Sequence, residues 1–459
     1  VTQSTPDSLV PPHGRAPRTR LYGEAFAADP AATYDALRAH GHAAPVELAP
    51  GVPATLIVGY QAALEVLRNP ATFPKDPRRW QTTVPPDSPI LPMTTYRPNC
   101  QYADGAAHAR LRGAVTGSLE RVDLTALRGH IARCAVKLIS DFAPTGRADL
   151  LHDYAEPLPL RVFTHLFGCP PSLGEQLAGH VRDIFDGVNA EQADAKLLEC
   201  LNQLIALKRA RPRTDVLSWL MEHPARLTDE ELVHQLVLLM GAGQEPQQNL
   251  IANGLLLLLS DDSFAGDLSG GSMPVDDALD AILWTDPPMP NYGISYPVRD
   301  VDLFGTTLPA DQPVVIGYAA ANTDPALRSE HRAGNRAHLA WSAGPHACPA
   351  QQIARLIGSV AIETVLDRLP GLRLAVPADQ LTWRPGPFHR ALTALPVHFP
   401  KPSAAFLQHE LSGDRRWNDR RAPSTSTRLA ATSTRRVPGS APRDRHRWWN
   451  SLVRWWHGQ

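Results

Sequence analysis

Net charge is almost missing from this chain. Its 45 Lys and Arg oppose 46 Asp and Glu, leaving −1 over 459 residues, too weak a field for a protein that grips nucleic acid through bulk positive charge. Cysteine is scarce and odd in number: Cys100, Cys134, Cys169, Cys200 and Cys348 include no Cys-x-x-Cys pair. A disulfide framework and a zinc ribbon are therefore not encoded, and a reducing cytoplasm is the expected location. Long apolar runs are lacking too. The longest, near Leu255 to Leu259, falls far short of the ~20 residues a membrane helix needs, and the opening VTQSTPDSLVPPHGRAPRTR has no apolar signal core. What the chain does have is 43% hydrophobic residues, enough to bury a large core despite 44 prolines, so a disordered or collagen-like protein is excluded.

Charge is unevenly spread. Asp414 to Gln459 holds 11 Arg and 3 Asp, a net +8, which leaves residues 1–413 at 34 − 43 = −9. Five of the ten Trp also lie in that stretch, which lacks a helical or strand period. Residues 403–459 thus read as a basic, Trp-containing disordered tail suited to an acidic protein or an anionic lipid surface. Residues 1–20 read as a disordered leading segment. Between them, residues 21–402 show no repeat and no Gly/Ser linker, which points to one large domain.

Helical signals dominate that domain. A capping box, Thr228-x-x-Glu231, opens a helix of about thirty residues whose apolar positions surround a polar centre. A second helix runs from Pro349 to Leu369, with Pro at its first turn and Pro370-Gly371 after its end. Strand-like segments are short: residues 54–60, 312–320 and 392–399. The fold class is mainly α with small β-sheets.

Chemistry concentrates at Cys348. Gly344 and Pro345 supply a turn and Pro349 starts a helix, so the sulfur sits at a helix N-terminus, where N–H groups favour a thiolate. A thiolate is what a metal ligand requires. The run Trp341-Ser342-Ala343-Gly344-Pro345-His346-Ala347-Cys348-Pro349-Ala350 resembles the haem-ligand loop of cytochrome P450s, Phe-Gly-x-Gly-x-His/Arg-x-Cys-x-Gly. Trp341 stands for Phe, Ser342 for the first Gly and Ala350 for the last. Similarity to bacterial, actinobacterial-type members extends over most of residues 20–400, including EPLPLRVFTHLFGCP and DVDLFGTTLPADQPVVIGYAAANTDP. The resemblance implies the P450 fold and haem b (iron protoporphyrin IX) held through iron by Cys348.

The same resemblance assigns further residues. His108 and Arg112, four apart and so on one helix face, stand where similar proteins bind haem propionates, and His346 would be a third partner. Ala242-Gly243-Gln244-Glu245-Pro246-Gln247 resembles the family's oxygen-activation segment, Ala/Gly-Gly-x-Asp/Glu-Thr-Thr, with Ala242 and Gly243 against the haem. Glu245 keeps the acid, Pro246 replaces the alcohol, and Gln247 could donate through water. Proline also lacks the N–H and clashes with the Ala242 carbonyl, so a local opening of the helix is expected. The family's Glu-x-x-Arg reads Ala281-Ile282-Leu283-Trp284, as in a small actinobacterial subset to which Asp76-Pro-Arg-Arg-Trp80 is also similar. Both charges are absent at that spacing, and their usual later-loop partner would be Arg332. Trp284 is expected to pack where the Arg ran, a joint loss that burial energetics tolerate.

A P450 would insert one oxygen atom from O2 into a hydrophobic small molecule with electrons from a ferredoxin and its reductase. Pro246 and the missing pair keep open a second reading, a sensor, interaction partner or peroxide-using protein of the same fold. A cysteine hydrolase is disfavoured, because no His signature supplies Cys348 with a base.

Overall fold

The structure, a computed structural model, describes residues 18–401 except 87, 186–189, 261–274 and 328–333. The tail at 403–459, most of the leading segment and Arg332 lie outside the described residues. Within them, the expected mainly helical architecture with small sheets is observed.

The largest sheet has five strands, in the order Thr19–Arg20, Ala43–Ala49, Val52–Ile57, Val314–Gly317, Asn291–Ser295. Strands β2 (Ala43–Ala49) and β3 (Val52–Ile57) form an antiparallel hairpin. Strand β3 then pairs in parallel with β5 (Val314–Gly317), which is flanked by antiparallel β4 (Asn291–Ser295). All four residues of β5 are buried, as a continuous apolar run in a central strand should be. At the edge, β1 (Thr19–Arg20) pairs with Val46 and Glu47, so regular structure begins ahead of the expected boundary at residue 21. The apolar run at 312–320 is not strand throughout. It turns at Gly317, and Tyr318–Asn322, rich in alanine, is a short helix.

Seven helices position the site. Helix α1 spans Tyr60–Arg68, α2 Gly105–Leu119, α3 Leu124–Phe142 and α4 Pro157–Leu166. The long helix α5 spans Asp229–Ser260, α6 Val275–Thr285 and α7 Gln351–Arg368. Both halves of the expected capping box close at the start of α5: Thr228 N–H donates to Glu231 Oε2 at 2.9 Å, and Glu231 N–H to Thr228 Oγ1 at 3.2 Å. Three acidic residues in its first turn suit the positive end of the dipole. At ~1.5 Å per residue α5 is about 48 Å long, and it packs against α4, α6 and α7. The helix runs unbroken through Pro246. The expected opening is therefore limited to the hydrogen bond that proline cannot donate to the Ala242 carbonyl.

Candidate active site

Cys348 is presented by a loop pinned on both sides. A 3-10 turn at Leu339–Trp341 leads into it, and Cys348 N–H donates to Trp341 O at 2.8 Å. Gly344 has φ +68°, and a Cβ there would lie 2.3 Å from Leu67 O, near the end of α1, so only glycine lets the loop lie against that helix. Ser342, which stands for the family's first Gly, has φ 61° and ψ −171°. That region is essentially reserved for glycine, and holding serine in it costs roughly 1–3 kcal/mol.

The sulfur lines a cavity of about 490 Å³. Burial pushes the Cys348 thiol up from its ordinary value, while the Ala350 N–H and Arg112 pull the other way without overcoming it. The thiolate expected from the helix start alone is thus outweighed by burial, and a bound metal cation would supply what is missing. Among the described residues no group of three or more His, Cys, Asp or Glu could hold a bare metal ion. A single sulfur is what an iron already ligated by a macrocycle requires.

Cationic and donor groups gather on one side of the cavity. Arg112 of α2 lines it and donates to Ala347 O in the Cys348 loop. His108, one turn earlier, lies against His346 with ring centroids 4.0 Å apart and the planes tilted by 36°. Burial, together with repulsion from His346 and Arg112, pushes His108 down to about 4. Burial likewise lowers His346, although Asp104, 3.5 Å from its Nε2, opposes the shift. Both imidazoles are neutral at pH 7, so they offer hydrogen bonds rather than charge. Among the described residues, the buried Nε1 of Trp341, which lines the cavity, and the buried Nε2 of His108 behind it have no hydrogen-bond partner. Orphaned buried groups beside a cavity fit a ligand bearing carboxylates. Sequence reasoning missed Lys75. Its side chain is buried at the cavity wall, with Nζ donating to Gly293 O and Ser295 Oγ, each at 2.8 Å. Arg97 adds a further cation to the lining.

The opposite wall is α5. Ala242 and Gly243 line the cavity. A Cβ on Gly243 would come within 2.1 Å of the Phe163 ring, so this glycine admits a side chain of α4 close to the helix. Glu245 is 1% exposed, is ion-paired with Arg384, and has His389 Nδ1 at 3.7 Å. Gln244 reaches back to donate to Glu156 O at 2.7 Å. Gln247 also lines the cavity, but its amide nitrogen lies beside Gly358 of α7, away from the groups around Glu245. The carboxylate is thus held by a loop near the C-terminal end of the domain, a partnership invisible in the α5 motif itself.

Behind the Cys348 loop, Trp284 of α6 packs edge-on to His338 with centroids 5.8 Å apart and donates Nε1–H to Asn335 O at 2.7 Å. Packing of Trp284 is as the sequence suggests; loss of all charge there is not. Asp280, one residue ahead of the Ala281-Ile282-Leu283-Trp284 stretch, is bonded by Arg355 of α7 and accepts from Arg336 Nε at 3.0 Å. Burial alone would raise this carboxyl, yet the donors His338, Arg355 and Arg336 outweigh it and hold Asp280 well below the usual carboxylate range.

A cavity floored by Cys348 just ahead of a helix start, walled by a long helix and edged by cations and neutral imidazoles, defines a haem-thiolate protein. The chain belongs to the cytochrome P450 family. It is 35% identical over 395 residues to the cytochrome P450 monooxygenase PikC of Streptomyces venezuelae, covering 82% of this chain and 92% of that one. It is 31% identical to the vitamin D(3) 25-hydroxylase of Pseudonocardia autotrophica, covering 82% of this chain and 95% of the relative. Among solved structures, CYP154C4 from Streptomyces sp. ATCC 11861 superposes with a TM-score of 0.76 at 27% identity, over 84% of this chain and all of the other. No protein-family model matches the chain. The protein is a P450-type oxidoreductase of actinobacterial kind, and its cofactor is haem b.

Proposed function

We propose that this protein inserts one oxygen atom from O2 into a bulky hydrophobic small molecule, with electrons from a ferredoxin and its reductase. One oxygen atom enters the product, and the other leaves as water with two electrons and two protons. When bound, haem b supplies the activation of oxygen and the acceptance of electrons. The chain's residues bind, orient and protonate around it. Cys348 would ligate the iron, while Lys75, Arg112 and His346, backed by His108, would hold the propionates. The observation that carries this reading is the Cys348 thiol, lining the cavity just ahead of the α7 start and beside Lys75, Arg112 and His346. The walls that remain for substrate, among them Leu160, Phe163, Leu166, Val237 and Met240, are apolar, which selects a lipophilic molecule. Relatives named as a vitamin D(3) 25-hydroxylase and a 6-deoxyerythronolide B hydroxylase support a bulky one.

Proton delivery falls to Glu245, poised between Arg384 and His389, with ordered water in place of the missing hydroxyl. No helix of the described residues is long and apolar enough to cross a membrane, all five cysteines are free, and we place the protein in the cytoplasm. The decisive measurement is haem per chain, the spectrum of the reduced carbon monoxide complex, and product formed per electron consumed. Absence of a thiolate-type Soret band would sink the reading.

Pro246 is the observation that favours a second reading, a peroxide-using or sensing protein. If protons arrive poorly, electrons leak to hydrogen peroxide, and supplied peroxide supports better turnover than reductant does. Pro246→Thr should then raise product per electron. Tight coupling in the unaltered protein, with no peroxide-driven activity, would discard this alternative.

A further inference from the structure

Two stretches of chain flank Cys348, residues 335–339 ahead of its loop and α7 behind it, and one carboxylate touches both. Asp280 of α6 is 1% exposed. Arg355 of α7 bonds its Oδ1, Arg336 Nε donates to its Oδ2 at 3.0 Å, and His338 Nε2 stands 3.7 Å from Oδ1. Arg355 extends further along α6 to the Asp276 carbonyl, at 3.3 Å. One turn beyond Asp280, on the same helix face, Trp284 holds Asn335 O at 2.7 Å and packs against His338. Asn322 closes the set, donating to Leu283 O at 2.9 Å and accepting from Leu339 N–H at 2.7 Å.

A buried ionic group adds little stability over a well-packed apolar one, and breaking it on one side is costly. What it does supply is registry. Charge-assisted hydrogen bonds to two guanidinium groups fix the separation and orientation of the segments that carry them. Here those segments are the two supports of the Cys348 loop, and α6 serves as the rigid bar between them. We infer that Asp280 is a positioning residue for the Cys348 sulfur, acting through Arg355 and Arg336, with Trp284 holding the same segment. This rests on the haem-thiolate reading and goes beyond it by assigning what sets the ligand's position.

The test uses the full haem-loaded chain and three variants: Asp280→Asn, Arg336→Gln and Asp215→Asn. Arg336 has a side chain 54% exposed, so its truncation leaves the chain folded even if Asp280→Asn does not. Asp215 forms a buried ion pair with Lys208 far from the Cys348 loop in the chain, and serves as the control for general destabilisation. Haem content, the ferrous carbon monoxide spectrum and the urea midpoint are read on each. Asp280→Asn should shift at least half of the complex from the thiolate band to the shorter-wavelength band of a neutral or displaced thiol, and Arg336→Gln should shift a smaller fraction. Asp215→Asn should lower the urea midpoint and leave the band in place. Full retention of the thiolate band in both Asp280→Asn and Arg336→Gln, or an equal shift in Asp215→Asn, overturns the inference. A missing thiolate band in the unaltered protein overturns the functional reading itself, and the inference with it.

Discussion

Replacing Lys75 by methionine should stabilise the cofactor-free chain at neutral pH and weaken its hold on haem. Burial lowers the Lys75 ammonium from 10.5 to about 8, and Asp104 opposes this only in part. The folded chain therefore holds this proton less readily than the unfolded one, and stability rises with pH wherever the unfolded state binds more protons. The penalty is fully present below about pH 8 and is relieved as pH climbs toward 10.5. At about 1.4 kcal/mol per pH unit it amounts to roughly 3 kcal/mol. Methionine removes it but leaves Gly293 O and Ser295 Oγ without a donor, a loss of about 1 kcal/mol each. The net gain at pH 7 is about 1 kcal/mol. Near pH 10 the sign reverses, because the neutral amine of the unaltered chain then keeps both hydrogen bonds at little penalty. Urea unfolding of both cofactor-free proteins between pH 6.5 and 10 should show the two stability curves crossing. Loading with haem turns the effect around, since a carboxylate beside Nζ supplies the missing counter-charge. Transfer of haem to an excess apo-globin should be at least tenfold faster from Lys75→Met. Parallel, uncrossed curves would show that the ammonium is not the desolvated group argued here, and equal transfer rates would show that its charge does not serve the cofactor.

Cys348→Ala should abolish the thiolate band, whereas Cys134→Ala and Cys200→Ala should leave it intact; the reduced carbon monoxide spectrum decides, and loss of the band in either of the latter refutes the assignment. Ser342→Gly should raise the thermal midpoint of the haem-loaded protein, because glycine accepts φ 61° and ψ −171° without strain and about 1 kcal/mol or more is recovered; a lowered midpoint would mean that the Ser342 hydroxyl does more than the strain costs. Truncation after Pro402 should preserve the spectrum, while the full chain should bind anionic vesicles in a salt-sensitive way through the +8 tail; salt-insensitive binding, or none, counts against that role.

Features specified by neighbours in sequence were the legible ones. Thr228 and Glu231 are three apart, and the capping box that spacing encodes is present atom for atom. Gly344, His346 and Cys348 lie within one short loop, and its turn, its close approach to α1 and its place on the cavity follow from that local run. The apolar stretch at 312–320 misled because a buried strand and a buried helix share a continuous apolar pattern over so few residues. The alanines after Tyr318 were the available sign that the strand ends at Gly317.

Charge was harder to read, because it is assembled from segments far apart in the chain. Lys75 reaches Ser295, Glu245 is met by Arg384 and His389, and Asp280 by Arg336 and Arg355. None of these pairs has a spacing that a helix or turn rule would mark. Searching one helix for two charges three apart finds nothing at Ala281 and Trp284, and so misses an ionic set whose members come from three segments. The two kinds of information divide the site between them. Local sequence fixes where the sulfur is displayed, while tertiary ion pairs decide the protonation state and orientation of what surrounds it. A loop that matches its family only in part can therefore still be held firmly, since its support is written at Asp280, Arg336 and Arg355 rather than within the loop.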